Sequence, residues 1–267
     1  MTDLPPNTDI AALRAFADEL ADAARAAILP YFRAAHAIEH KGSGAFDPVT
    51  EADKAAEIAM RALIEARFPT HGVLGEEYAA KPSQDGFQWV LDPIDGTRAF
   101  IAGLPLWGVL IALNYRGAPF IGVMDQPYLD ERFKGYPGGA ELTKGGETQA
   151  LRTRTCASVA EATLATTDPY LFEGAEYDAF ASIRQAAKLT RYGCDCYAYC
   201  MLASGHIDIV IESGLKPFDI QALIPIIRGA GGAVTAWDGG DAAQGGQVLA
   251  VGEPELQPFL SNALSEH

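Results

Sequence analysis

Apolar residues between positions 8 and 35 recur at helical spacing: Ile10, Leu13, Phe16, Ala17, Leu20, Ala24, Ala27, Ile28 and Tyr31. That period makes one buried face, and Asn7 and Thr8 are suitable caps, so the pattern predicts a long amphipathic helix. HKGSGAFDP (40–48) is glycine-rich and reads as a loop. Thr50-Glu-Ala-Asp53 then opens a second helical pattern that reaches Phe68 and is ended by Pro69.

From His71 the pattern changes to short apolar runs. GVLGEE, FQWVLD, VLIALNY and FIGVMDQ read as strands, the last two joined by a turn at Arg116-Gly117. LATT (164–167) and IDIVIES (207–213) are later strand candidates, and helical patterns cover 174–188, 194–204 and 219–230. A strand-rich tail follows, with turns at Gly239-Gly240 and Gly245-Gly246. No repeat or low-complexity linker interrupts the chain. A soft division falls near residue 150, separating an α+β part (1–150) from a more regularly alternating α/β part (151–267).

A chain of 267 residues is long enough for a proper core. No apolar run approaches the ~18 residues of a membrane span. MTDLPPNTDI lacks the basic and apolar regions of a signal peptide, which points to the cytoplasm. The formal charge of -15 argues against nucleic acid, whose binding needs a basic surface. It also argues against unaided capture of an anion, so any phosphate chemistry calls for a cation. Cys194, Cys196 and Cys200 lie close together, but C-x-C-x3-C lacks the paired hooks of zinc sites. With Cys156 they read as buried free thiols.

WVLDPIDGTRAF (89–100) passes from apolar to acidic within a few residues. D-x-x-D alone is common and often marks a solvated turn, but Glu76 ends the preceding strand in the same way. Asp219, at an expected helix start after a strand ending in Glu212, adds a third segment. Such acids repel one another unless cations occupy them, and oxygen-only ligands suit a hard ion such as Mg2+. Asp92 would bridge two ions, with Glu76 on one side and Asp95 and Asp219 on the other; Ile94 would add its carbonyl. Gly96 lets the backbone approach a phosphate, which the N–H groups of Gly96 and Thr97 would cradle. Asp53, read alone in T-x-x-D before a helical run, reads first as a helix cap and only second as a chemical group.

D-P-I-D-G-T after an apolar strand, G-E-E upstream and the late P-F-D aspartate resemble the inositol monophosphatase family of Mg2+-dependent, lithium-sensitive phosphomonoesterases. The resemblance spans nearly the whole chain. It implies a layered αβαβα sandwich of the sugar-phosphatase type, within the α+β or α/β class, and a homodimer. It implies that Glu76, Asp92, the Ile94 carbonyl, Asp95 and Asp219 hold two or three Mg2+ ions, most of them from the first part of the chain. Asp53 and Thr97 match the pair that orients and activates water, and Glu212 matches a substrate contact.

The flanks DGTRAFIAGLPLWGVLIAL and YGCDCYAYCMLASGHIDIVIESGLKPFDIQALIPII, with Arg98 replacing a small polar residue, look like the family's histidinol-phosphate phosphatases. These convert L-histidinol phosphate to L-histidinol in histidine biosynthesis. The acidic charge suits that cationic substrate, and Asp195, Glu212 and Arg98 are candidate contacts. Cys194 stands where relatives of this type tend to carry a second glycine. Inositol and sugar phosphates are alternative substrates, whereas bisphosphates need a basic cluster that is not evident. A non-catalytic regulatory module is the alternative of a different class. His36, His40, His71 and His206 read as surface or loop residues, Phe100 and Trp107 as core, and Ser204 lacks a nucleophile elbow.

Overall fold

A computed structural model describes residues 4–6, 8–34 and 48–265. Helices α1 (Ile10–Ile28) and α2 (Pro48–Arg67) pack on one another. Asp9, rather than Asn7 or Thr8, caps α1, its carboxylate accepting from the Ala12 amide at 3.0 Å. Thr8 donates to the Pro5 carbonyl instead, and Asn7 lies outside the described residues. The helix ends well before residue 35 because Pro30 has no N–H to continue the ladder. Tyr31, expected on the buried face, is consequently exposed. Helix α2 begins at Pro48, which costs nothing in a first turn, so Thr50 does not open it and Asp53 lies inside it. The expected loop at 40–48 otherwise falls outside the described residues.

The first sheet contains β1 (Gly72–Gly75) and β2 (Phe87–Asp95). After the short helix α3 (Thr97–Ile101) it continues through β3 (Gly108–Tyr115) and β4 (Ala118–Gln126). The strands β5 (Glu131–Tyr136), β6 (Gly139–Lys144) and β7 (Glu147–Ala150) complete it in sequential order. Only β1 and β2 run parallel. The meander β5–β7 was not expected from sequence. Its charged positions face other charges: Arg132 and Lys134 pair with Asp18 of α1.

Beyond residue 150 lie β8 (Thr163–Thr166), α4 (Ala175–Ala186), β9 (Leu189–Tyr192) and α5 (Asp195–Ala203). Strand β10 (Ile209–Leu215) leads to α6 (Pro217–Ile220) and α7 (Leu223–Ala230), where a single helix over 219–230 was expected. Strands β11 (Ala233–Ala236) and β12 (Gly246–Val251) precede a terminal helix α8 (Gln257–Ser265) that the strand-rich reading of the tail missed. The second sheet has the order β11-β12-β10-β8-β9.

Alternation along each strand builds the layers. Trp89, Leu91, Val109 and Ile111 join a core with α1 and α2, while Val90, Leu110 and Ala112 join one with α5 and α7. In the second sheet Val210 and Ala250 face that central helix layer, while Ile209 and Leu249 face α4 and α8. The result is an αβαβα sandwich. VLIALNY is an uninterrupted apolar run because both faces of β3 are covered. Burying side chains such as Phe16, Leu91 and Ile111 contributes roughly 1.5–3 kcal/mol each. Phe100 and Trp107 are core residues, as expected, with rings 4.9 Å apart. Helix α7 sits directly on backbone: a Cβ on Gly122 would lie 1.9 Å from the Ala222 carbonyl oxygen. Among the described residues no helix is long and apolar enough to cross a membrane.

Candidate active site

Parallel pairing of β1 with β2 brings both strands out at the same sheet edge, with Gly75 opposite Leu91. Glu76 and Asp92 therefore emerge side by side. Asp92 and Asp95 are three apart and would face opposite ways in a regular strand. Here Asp92 pairs with Leu110 and Asp95 with Gly108, so β2 carries one extra residue. The bulge turns both carboxylates to one side. Asp219 reaches them from α6, and ligand oxygens of Asp92, Asp95 and Asp219 lie within 4.8 Å of one another.

The electrostatics fit a cation. Asp92 is buried, and desolvation, then Asp95, Glu76, Asp219 and Asp53, push its carboxyl well above the usual range. Asp95 is raised by desolvation and then by Asp195 and Asp219. Glu76 is exposed at the rim, yet it too is raised, by desolvation and then by Asp219. Among the described residues no lysine or arginine forms an ion pair with Asp92, Asp95 or Asp219. A divalent ion would relieve this repulsion, and an all-oxygen donor set matches a hard one.

Asp53 is buried in α2 beneath Asp92. Its place inside the helix rules out the capping reading. The Ile94 amide donates to Asp92 Oδ1 at 3.1 Å, and the Ile94 carbonyl accepts the Thr97 hydroxyl at 3.3 Å. Gly96 adopts φ +86°, and a Cβ there would lie 3.0 Å from Trp107 Cα, so the turn excludes a side chain. The Lys216 amide holds Asp219 Oδ2 at 2.6 Å.

Arg98 is exposed and pairs with Asp168 at 2.8 Å. Asp195 starts α5 in the left-handed region, φ +44°, and desolvation raises its carboxyl to about 6 against the opposing pull of Arg98. Glu212 is buried and raised to about 8, chiefly by desolvation. It accepts from the Thr167 amide at 2.7 Å, the Thr167 hydroxyl at 3.0 Å and the Thr166 hydroxyl at 3.3 Å, and thereby holds the end of β8.

Two acids near the site escaped the sequence reading. Asp168 lies two residues past the end of β8, and Glu57 lies one helical turn beyond Asp53; that spacing was the available signal. Cys194 has φ −108°, a backbone that needs no glycine, and is half-buried rather than buried. The other three cysteines are buried and free, as expected. His71 is not a surface residue: it is buried, stacks on Phe68 and accepts from Trp89 Nε1 at 3.0 Å. His206 is exposed, and His36 and His40 lie outside the described residues.

Residues 9–267 match the sequence profile of the inositol monophosphatase family. The Arabidopsis thaliana bifunctional phosphatase IMPL2, chloroplastic, is 41% identical over 98% of this chain and 77% of its own length. A histidinol-phosphatase of Chlorobaculum parvum is 37% identical over 76% of this chain and 77% of its own. The solved inositol monophosphatase of Zymomonas mobilis superposes with a TM-score of 0.86 at 39% identity, covering 97% of this chain and 99% of that one. With a site of clustered acids on this fold, the chain belongs to the inositol monophosphatase family and is a phosphomonoesterase.

Proposed function

We propose that this phosphatase hydrolyses L-histidinol phosphate to L-histidinol and phosphate, in histidine biosynthesis. The observation that carries the reading is the sign of charge around the site: Arg98 already pairs with Asp168, and Asp195 lies within its electrostatic reach. An ammonium or imidazolium on the substrate gains a charge–charge attraction beside such acids, whereas a neutral polyol can only hydrogen-bond to them. The Chlorobaculum relative, named a histidinol-phosphatase, supports the same substrate.

Glu76, Asp92, the Ile94 carbonyl, Asp95 and Asp219 would hold Mg2+, two or three ions per site. Bound there, the metal supplies charge neutralisation for the phosphoryl oxygens and lowers the pKa of water. The Thr97 hydroxyl directs its proton to the Ile94 carbonyl, which leaves its lone pairs to orient a water. Asp53 receives that water's proton. The water oxygen bonds to phosphorus, the ester P–O bond breaks, and the leaving alkoxide takes a proton from solvent. Gly96 and Thr97 cradle the phosphate through backbone N–H groups, and Arg98 meets the substrate at the rim. The reading also carries lithium sensitivity, a homodimer and a cytoplasmic setting.

An inositol-1-phosphate or broad sugar phosphatase is the second reading, favoured by the likeness to the Zymomonas enzyme. Turnover of histidinol phosphate, inositol 1-phosphate and fructose 1,6-bisphosphate under saturating Mg2+ separates the two. Preference for histidinol phosphate is expected; preference for inositol phosphate would overturn the assignment.

A further inference from the structure

Glu57 is a fully buried carboxylate on α2, one turn after Asp53. Each of its oxygens has a partner. Oε1 accepts from Arg61 Nε at 2.7 Å, and Oε2 accepts from the backbone amide of Glu77 at 2.8 Å. The same carboxylate fills the space beside Gly75, where a Cβ would lie 2.0 Å from Oε1. Arg61 adds a further hold, donating from Nη2 to the Tyr78 carbonyl at 3.1 Å.

Between these attachments stands Glu76. Its side chain is exposed and reaches that of Asp92 by a hydrogen bond. The backbone on both sides is fixed: Gly75 is seated on the Glu57 carboxylate, and Glu77 is hydrogen-bonded to it. We propose that Glu57, locked by Arg61, is a positioning residue that sets Glu76 in register with Asp92 for a divalent cation. The inference rests on the metal-dependent phosphatase reading. It also explains why a charged side chain occupies a buried helix position: a carboxylate can serve Arg61 and Glu77 at once, whereas an amide has one acceptor oxygen. Partners one layer behind metal ligands characteristically change metal affinity or activity by about 10–100-fold when removed.

A merely structural Glu57–Arg61 pair would change the stability of the metal-free protein and leave its response to Mg2+ alone. The test compares wild type with Glu57→Gln. Three quantities are read: the metal-free Tm, the Mg2+ concentration at half of the Mg2+-induced rise in Tm, and half-saturating Mg2+ for turnover alongside KM. In Glu57→Gln both Mg2+ midpoints should rise about 10–100-fold, with KM at saturating Mg2+ little changed. Unchanged midpoints in folded Glu57→Gln overturn the proposal. Should that variant not fold, Arg61→Met makes the comparison, since it frees the Tyr78 carbonyl and unlocks Glu57; a midpoint unmoved there overturns the proposal equally. A wild type whose Tm and turnover both ignore Mg2+ defeats the metal dependence of the proposed function, and this inference with it.

Discussion

The backbone amide of Cys196 donates to Asp95 Oδ2 at 2.7 Å, across 101 residues of chain. One carboxylate of the bulged strand is therefore oriented by the first turn of a helix from the other half of the molecule. A hydrogen bond to a carboxylate favours its charged form, and here it opposes the desolvation of Asp95. The second half of the chain thus shapes the first half's candidate ligands as well as contributing Asp219.

Asp92→Asn should abolish turnover while leaving the fold intact, because Asn can still accept from the Ile94 amide. The metal-free variant should be at least as stable as wild type at pH 8, where the acids repel most. Circular dichroism and Mg2+-saturated assays check this. Retention of more than about a tenth of wild-type turnover would remove Asp92 from its bridging role, since metal-site losses are typically larger.

Thr97→Ala should depress kcat about 10²–10⁴-fold, the usual cost of breaking a general-base relay, with little change in KM. A variant altered mainly in KM would make Thr97 a phosphate cradle and nothing more.

Asp195→Asn should weaken histidinol phosphate selectively. A charge-assisted hydrogen bond contributes roughly 1.5–3 kcal/mol, or about ten- to a hundred-fold in kcat/KM. Glycerol 2-phosphate, which lacks the cationic groups, should barely respond. The measurement is the ratio of the two kcat/KM values in wild type and variant; a constant ratio would contradict the assignment.

Glu212 makes stability depend on pH. Its pKa rises from the ordinary 4.5 to about 8 in the folded protein, so the folded state binds the extra proton between those values. The stabilisation is complete below pH 4.5 and is lost as pH rises through about 8. Asp195, raised from 3.8 to about 6, acts in the same direction over a lower window. The Tm of the metal-free protein should fall from pH 5 to pH 9, and less steeply in Glu212→Gln. Parallel curves for the two proteins would mean that Glu212 does not titrate in this window.

The sequence by itself determined much of the first half. The helical period of α1 and the runs of β2, β3 and β4 are local patterns, set by side chains a few residues apart. The acids Asp92 and Asp95 were legible because a proline, a glycine and an apolar strand frame them within one short stretch. Tertiary structure decided what depends on distant partners. The charged strands of the β5–β7 meander hide their signal because Arg132 and Lys134 meet the acids of α1 rather than water. The bulge that turns Asp92 and Asp95 to one side depends on pairing with β3. Glu57 was lost in an ordinary polar helix position, since its meaning comes from the Glu77 amide twenty residues away. Asp168 likewise acquires a partner only when the fold brings Arg98 to it from α3, seventy residues earlier in the chain. Periodicity records which face is buried; it carries no information about which buried or rim groups will meet, because that is fixed by the packing of layers.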